Sequence, residues 1–139
     1  MKICIIGGTG QQGYQQVLAA LEQGCEVAAV GQSRTLSREA KLKDEKLSWQ
    51  KADLLNKSEL IAALQAVDYV LINMPSSSFN DESKLLKMFD NILSACDIVA
   101  PKKIIFNTSM FVEKGNIEFQ APRVRREMIN RLQQSQHSY

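Results

Sequence analysis

Glycines spaced three residues apart near the N-terminus constrain the fold of this chain more than any other feature. Gly7, Gly10 and Gly13 lie between an apolar run, Ile3–Ile6, and an amphipathic stretch, so they connect a strand to a helix. Gly7 allows a tight turn, Gly10 lets the backbone approach a ligand, and Gly13 lets the helix pack closely on the strand. A helix that begins there presents unpaired N–H groups and the positive end of its dipole. The turn therefore predicts a site for the pyrophosphate of a dinucleotide.

The rest of the chain alternates between short apolar runs and longer helical stretches. Further strands are predicted at Glu26–Val30, Leu47–Lys51, Tyr69–Asn73 and Lys103–Asn107. Helices are predicted at Gln15–Gln23, Asn56–Gln65, Asp81–Val99 and Arg123–Gln134, with a short polar helix within 37–44. This alternation predicts an α/β fold, in which a doubly wound parallel sheet of strand order 3-2-1-4-5 forms one dinucleotide-binding domain over residues 1–139. Ligands of such sheets bind at the carboxyl ends of the strands.

The residues after the second strand distinguish between the two nicotinamide dinucleotides. An NAD-binding domain usually has Asp or Glu here, which accepts a hydrogen bond from the ribose 2′-hydroxyl. This chain instead has Ser33 and Arg34, with no carboxylate before Glu39. Arg34 can bind a 2′-phosphate through its planar guanidinium group, and Ser33 or Thr35 can add a hydroxyl. The sequence therefore favours NADP(H) over NAD(H), and the alternative is a solvent-exposed loop arginine.

Polar residues follow the third and fourth strands as well. Asp53, with Leu54 beside it, can accept a hydrogen bond from the adenine amino group or can cap the next helix, and the sequence does not choose between these roles. Asn73, Met74 and Pro75 end the fourth strand beside the glycine turn, where we expect contact with the cofactor through the backbone. The predicted cofactor-binding residues are thus Gly7, Thr9, Gly10, Gln11, Gln12, Gly13, Ser33, Arg34, Asp53, Leu54, Asn73, Met74 and Pro75.

The end of the fifth strand offers hydroxyl groups. Asn107 is followed by Thr108 and Ser109, either of which can lie near the nicotinamide and take part in catalysis. The alternative is that these hydroxyls cap the local turn.

Composition excludes several other kinds of site. A formal charge of +2 is too small to indicate a nucleic-acid or membrane surface. The cysteines, Cys4, Cys25 and Cys96, are far apart, and the single histidine, His137, is near the C-terminus, so neither a metal site nor a Ser/His/Asp triad is expected. The sequence contains no phosphate-binding GxxxxGK[ST] motif and no apolar run long enough to span a membrane, and we do not expect the N-terminal residues to act as a signal peptide. A reducing, cytoplasmic location is expected.

The turn at 7–13, together with Ala52-Asp53-Leu54 and Asn107-Thr108-Ser109, resembles the atypical short-chain dehydrogenase/reductases. The NmrA-like and isoflavone-reductase-like branch is the most similar, and the resemblance extends over essentially the whole chain. It implies a Rossmann fold that binds NADP(H) through the glycine turn and Arg34. It also implies one of two functions. The first is reduction of a quinone or another carbonyl or enone substrate, and the second is a non-catalytic redox sensor that binds a protein partner.

The chain departs from this family in two respects. The Tyr-x-x-x-Lys pair of the active enzymes is missing, because no tyrosine lies between Tyr69 and Tyr139. A lysine at the start of the last helix can serve instead in the NmrA-like branch, but Arg125 stands there. Arg125 is a catalytic candidate because it can hold a phosphate or polarise a carbonyl, although it does not readily release its proton. Family members also continue beyond a segment like 135–139 into another strand and a substrate-binding region. We therefore expect a cofactor domain without that region. We also expect a homodimer or another oligomer to cover the edge of the fifth strand or the far side of the sheet.

Overall fold

The computed structural model describes residues 1–31, 42–75, 81–108 and 120–139, and the side chains of the last range from Arg123 onward. The strands are β1 (Lys2–Ile6), β2 (Glu26–Gly31), β3 (Leu47–Lys51), β4 (Tyr69–Ile72) and β5 (Lys103–Phe106). The helices are α1 (Gln11–Glu22), α2 (Lys57–Ala63), α3 (Glu82–Val99) and α4 (Gln120–Gln134).

The strands form one parallel sheet in the order β3-β2-β1-β4-β5. This order confirms the predicted 3-2-1-4-5 arrangement and the doubly wound α/β class. From β1 the chain builds outward to β2 and β3, and then returns to add β4 and β5 on the other side. The direction of winding therefore changes between β1 and β4, and a crevice at their carboxyl ends is the usual ligand site of such a sheet.

Both faces of the sheet are covered by apolar side chains. In β1, Cys4 and Ile6 belong to the core on one face, whereas Ile5 belongs to a second core with Val17 of α1. This alternation follows from the two-residue period of a strand. Because both faces are buried, the central strands are apolar at nearly every position, which is why short continuous apolar runs predicted them.

Several helix boundaries differ from the prediction. α1 begins at Gln11 rather than Gln15, and α4 begins at Gln120 rather than Arg123. Asn56 and Asp81, at the starts of their predicted helices, are the N-caps of α2 and α3 and accept hydrogen bonds from the backbone N–H groups of Glu59 and Lys84. The short helix predicted within 37–44 falls largely outside the described residues, and 42–44 are not helical.

Helix α4 lies beside α3 and is joined to it by the ion pairs Glu82–Arg123 and Asp90–Arg131. Beyond the end of α4, the largely buried ring of His137 forms a 2.8 Å hydrogen bond with Asp97 of α3. Largely exposed ion pairs each contribute about 0–1 kcal/mol, so the two pairs fix the register of the helices more than they stabilise them. The apolar side of α4, with Met128 fully buried, holds the helix on the core.

Strand β5 forms one edge of the sheet. The N–H of Ile104 donates to the carbonyl of Ser138 at 2.8 Å. The side chain of Ile105 is 42% exposed. A homodimer across this edge stays a prediction.

Candidate functional site

A cavity of about 560 Å³ opens at the carboxyl ends of β1, β2 and β4, in the predicted place. It brings together most of the predicted cofactor-binding residues, namely Gly7, Thr9, Gly10, Gln11, Gln12, Gly13, Leu54, Asn73, Met74 and Pro75. Ser33 and Arg34 lie outside the described residues.

The glycine turn is tied to the neighbouring strands through its backbone. The N–H groups of Gly7 and Gly8 donate to the carbonyl of Val30 at 2.8 and 3.0 Å. Gly7 has a φ of +78°, and a Cβ atom there would lie 2.8 Å from the carbonyl oxygen of Asn73. The turn therefore needs glycine at position 7 for its backbone conformation and for its closeness to β4.

Gly13 brings the first turn of α1 against the glycine turn. A Cβ atom at Gly13 would lie 2.0 Å from the carbonyl oxygen of Gly7, which is far too close for a non-bonded carbon and oxygen. This contact confirms that the third glycine permits close packing of α1.

The start of α1 is suited to an anion. Its N-cap is Gly10, which has no side chain to satisfy the first N–H groups, and no acidic residue lies in the first turn. Gln11 and Gln12, the first residues of the helix, both line the cavity. The N–H groups of a first turn lack intrahelical acceptors, and the helix dipole is positive at this end. These features fit a phosphate group.

Four side-chain amides form a hydrogen-bonded network beside this turn. Asn73 donates to the carbonyl of Ile6 at 3.0 Å and to Gln16 Oε1 at 2.7 Å. Asn107 Nδ2 donates to Asn73 Oδ1 at 2.8 Å and to Gln12 Oε1 at 3.1 Å. The network joins α1 to residues that follow β4 and β5, so it fixes the walls of the cavity relative to one another.

Gln16 is a member of this network that sequence reasoning missed. Its partner Asn73 is 57 residues away, and no local pattern reveals such a contact. The available signal was the spacing of Gln12 and Gln16, since residues four apart share one side of a helix. Ile6, Val30, Gly31 and Asn107 also line the cavity and were not among the predicted cofactor-binding residues.

Substitution of Asn73 tests the network. Asn73→Leu removes the amide and leaves the polar groups of Gln16 and Asn107 without this partner, so we expect a loss of about 1–3 kcal/mol in unfolding free energy. Urea denaturation followed by circular dichroism measures it. Gln65→Ala removes an exposed amide that lies just beyond α2 and donates to the carbonyl of Ile61 at 3.0 Å, and it should change stability by less than about 0.5 kcal/mol. Equal effects of the two variants would contradict a structural role for the network.

Of the predicted catalytic candidates, the structure describes Arg125 and Thr108, and only Arg125 lines the cavity. Arg125 of α4 is half-buried and lines the cavity, and this burial lowers the pKa of its guanidinium group. Arginine nevertheless keeps its charge in proteins, so Arg125 contributes a positive charge to the wall. Thr108 is exposed and does not line the cavity, and Ser109 lies outside the described residues.

Asp53 does not line the cavity, although its neighbour Leu54 does, and it lies on an exposed turn before α2. Its Oδ1 accepts from the N–H of Leu55 at 2.9 Å, and its own N–H donates to Glu59 at 2.7 Å. The helix-cap interpretation of Asp53 is wrong, because Asn56 caps α2 and Asp53 closes the turn that precedes it. A contact between Asp53 and adenine stays a prediction.

The described ranges hold no group of three or more His, Cys, Asp and Glu side chains that could bind a metal. They also contain no helix of the length and hydropathy needed to span a bilayer. Cys4 and Cys96 are buried, and burial raises the pKa of each thiol to about 12, which keeps both in the unreactive protonated form.

Comparisons with known structures identify the same fold. A nucleoside-diphosphate-sugar epimerase from Staphylococcus aureus superposes with a TM-score of 0.80 at 18% identity, over 99% of this chain and 48% of that one. A triphenylmethane reductase from Citrobacter sp. gives 0.80 at 18% identity, over 96% and 45%. An NADPH-dependent quinone oxidoreductase from Escherichia coli gives 0.77 at 20% identity, over 97% and 46%.

The chain spans about half the length of these proteins. None of the curated proteins compared with it is similar in sequence. A sequence model of NAD(P)H-binding proteins, however, matches residues 7–138, which includes the glycine turn and nearly all that follows. The chain therefore belongs to the NAD(P)H-binding family, whose Rossmann domain it shares with reductases and epimerases.

Proposed function

We propose that this chain binds NADP(H) and forms the cofactor-binding part of an NmrA-like reductase. The observation that carries the proposal is the start of α1, where N–H groups without a side-chain cap or a nearby carboxylate line a cavity of about 560 Å³. Gly7, Gly10 and Gly13 allow the backbone to approach the pyrophosphate, and the N–H groups of Gln11 and Gln12 neutralise part of its charge.

The remaining predicted residues have complementary roles in this proposal. Thr9 and Leu54 line the cavity beside the turn, and Asn73, Met74 and Pro75 bound it on the side of β4. Asp53 accepts a hydrogen bond from the adenine amino group.

The preference for NADP(H) over NAD(H) rests on charge. No carboxylate follows β2 before Glu39, whereas Ser33 and Arg34 offer a hydroxyl and a guanidinium group to a 2′-phosphate. The Citrobacter reductase and the Escherichia coli quinone oxidoreductase were solved with NADP(H) and NADPH, which is in keeping with this choice.

Arg34→Ala tests the cofactor preference. Hydrogen bonds between charged groups contribute about 1.5–3 kcal/mol, so the Kd for NADPH should rise about 10- to 100-fold while the Kd for NADH stays within about twofold. Fluorescence titration with both dinucleotides measures this. Lys43→Ala removes the same charge from an exposed position and should leave the ratio of the two Kd values unchanged. An Arg34→Ala protein with unaltered NADPH preference would overturn the role of Arg34.

In the reductase proposal, a carbonyl or quinone substrate receives a hydride from the reduced nicotinamide and a proton from water. The nicotinamide supplies the hydride when it is bound. Arg125 contributes a fixed positive charge that can polarise a carbonyl oxygen or bind a phosphate, and Thr108 or Ser109 can donate a hydrogen bond. Quinone-dependent oxidation of NADPH, followed by the loss of absorbance of the reduced cofactor, tests this activity.

A second candidate is a non-catalytic sensor of the dinucleotide that acts through a protein partner. One observation favours it: none of the described residues that line the cavity has a carboxylate, imidazole, thiol or phenol group that could exchange a proton near neutral pH. Tight binding of NADPH without turnover of any quinone or carbonyl would favour the sensor and contradict the reductase for this chain. Failure to bind either dinucleotide at micromolar concentrations would contradict both.

A further inference from the structure

The last residue of β2 occupies the place at which cofactor preference is usually decided. In dinucleotide-binding domains, the acidic residue that accepts from the ribose 2′-hydroxyl stands about 20 residues beyond the glycine turn, at the end of the second strand. Here Gly31 ends β2 and lines the cavity. Its carbonyl accepts from the N–H of Ala52 at 3.0 Å, so its backbone is held against the neighbouring strand.

Thr9 fills the space that a side chain at position 31 would need. A Cβ atom on Gly31 would lie 2.3 Å from Thr9 Oγ1, 2.7 Å from Cγ2 and 3.1 Å from Cβ. Rotation of Thr9 about χ1 would reposition Oγ1 and Cγ2 but would leave its Cβ in place. The conflict therefore involves the whole β-branched side chain, which has few rotamers with which to avoid it.

Hydrogen bonds also prevent the backbone around Thr9 from moving away from Gly31 easily. On one side, Gly8 donates to the carbonyls of Ile5 and Val30, and on the other Gly10 donates to the carbonyl of Gly7 at 2.9 Å. Moving Thr9 away from β2 would stretch these hydrogen bonds, which hold the turn in the shape that the cavity requires.

We propose that Thr9 and Gly31 act together as a cofactor-selecting pair. Thr9 excludes any side chain from the end of β2, so no carboxylate can stand there to accept from a ribose 2′-hydroxyl or to repel a 2′-phosphate. This inference rests on the proposed binding of NADP(H) and adds to it a determinant distinct from Arg34. It also means that an acidic residue at position 31 can serve NADH only when Thr9 is made smaller.

The test compares Gly31→Ala and Gly31→Asp, each alone and with Thr9→Ala, by titration with NADPH and NADH and by thermal unfolding. Each substitution at Gly31, made alone, should weaken the binding of both dinucleotides about tenfold or more. It should also lower the melting temperature by about 3 °C or more. Thr9→Ala leaves only the 3.1 Å contact, which a shift of a few tenths of an ångström relieves. Adding Thr9→Ala to a Gly31 variant should therefore recover most of the melting temperature that the Gly31 substitution alone loses.

The effect on cofactor preference is measured by comparing the two double variants, both of which have alanine at position 9. With Thr9→Ala, Gly31→Asp should move the ratio of NADPH to NADH affinity about tenfold toward NADH, whereas Gly31→Ala should leave that ratio unchanged. Identical ratios in the two double variants would overturn the selecting role. Normal binding and stability of the single Gly31→Ala variant would overturn the exclusion itself.

Failure of the proposed function would look different. A wild-type protein that binds neither dinucleotide would refute the NADP(H) proposal. The exclusion would still be measurable, because it predicts that the changes in melting temperature caused by the Thr9 and Gly31 substitutions are not additive. That measurement requires no ligand.

Discussion

Replacing Gly13 with alanine is expected to destabilise the protein severely and to abolish dinucleotide binding. The added methyl group would lie 2.0 Å from the carbonyl oxygen of Gly7 and 2.8 Å from the Cα of Gly8, and both are backbone atoms of the turn. Relief requires α1 to move away from the turn, so we expect a loss of about 3 kcal/mol or more. Urea denaturation and NADPH titration measure the two effects.

Two further glycine variants separate the effect of close packing from the effects of backbone conformation and of ligand access. Gly24→Ala is placed where φ is +79° and no atom lies within 4 Å of the added methyl group. It should cost about 1 kcal/mol through its backbone conformation and leave binding intact. Gly10→Ala meets only the carbonyl of Gly7 at 3.2 Å, so it should keep most of the stability but hinder a ligand at the start of α1. A Gly13→Ala protein as stable as Gly24→Ala would contradict the close packing.

The second large effect is expected at Phe89, in the middle of α3. Its side chain is fully buried, and its ring centroid lies 5.1 Å from that of Phe106 at the end of β5. Phe89→Ala removes this contact and leaves a cavity between α3 and the sheet, which should cost about 3–5 kcal/mol of unfolding free energy. Chemical denaturation measures the loss, and Phe89→Leu should fall between wild type and alanine.

The matched control for Phe89 lies on the same helix. Ile98 is 58% exposed, so Ile98→Ala should change stability by less than about 0.5 kcal/mol. Comparable losses at the two positions would mean that α3 does not pack on the sheet as described.

The strands of the sheet were predictable because burial on both faces requires short continuous runs of apolar residues. β3 was predicted with its observed bounds, Leu47–Lys51, and the other strands to within one residue at each end. The start of α1 was missed for a physical reason. Gln11 and Gln12 face the cavity rather than the core, so the first turn lacks the apolar spacing that marks a helix.

The tertiary contacts of the site were not predictable from local patterns. The glycine turn could be placed from its spacing alone, since its function depends on its own backbone. The amide pair of Gln16 and Asn73, and the close approach of Thr9 to Gly31, depend on how distant strands and helices meet. Neither contact produces a periodic pattern in the sequence, so only the folded structure reveals them.

The side-chain amides of the cavity have a consequence for how the site responds to acidity. Amides do not titrate in water, and Arg125 stays protonated at any pH that a folded protein tolerates. The described lining, with its hydroxyl, its amides and one guanidinium group, therefore keeps the same charge from mildly acidic to mildly alkaline solution. Over that range, any pH dependence of binding would originate in the ligand, whose 2′-phosphate has a second ionisation near pH 6 like other phosphate monoesters, or in residues outside this lining.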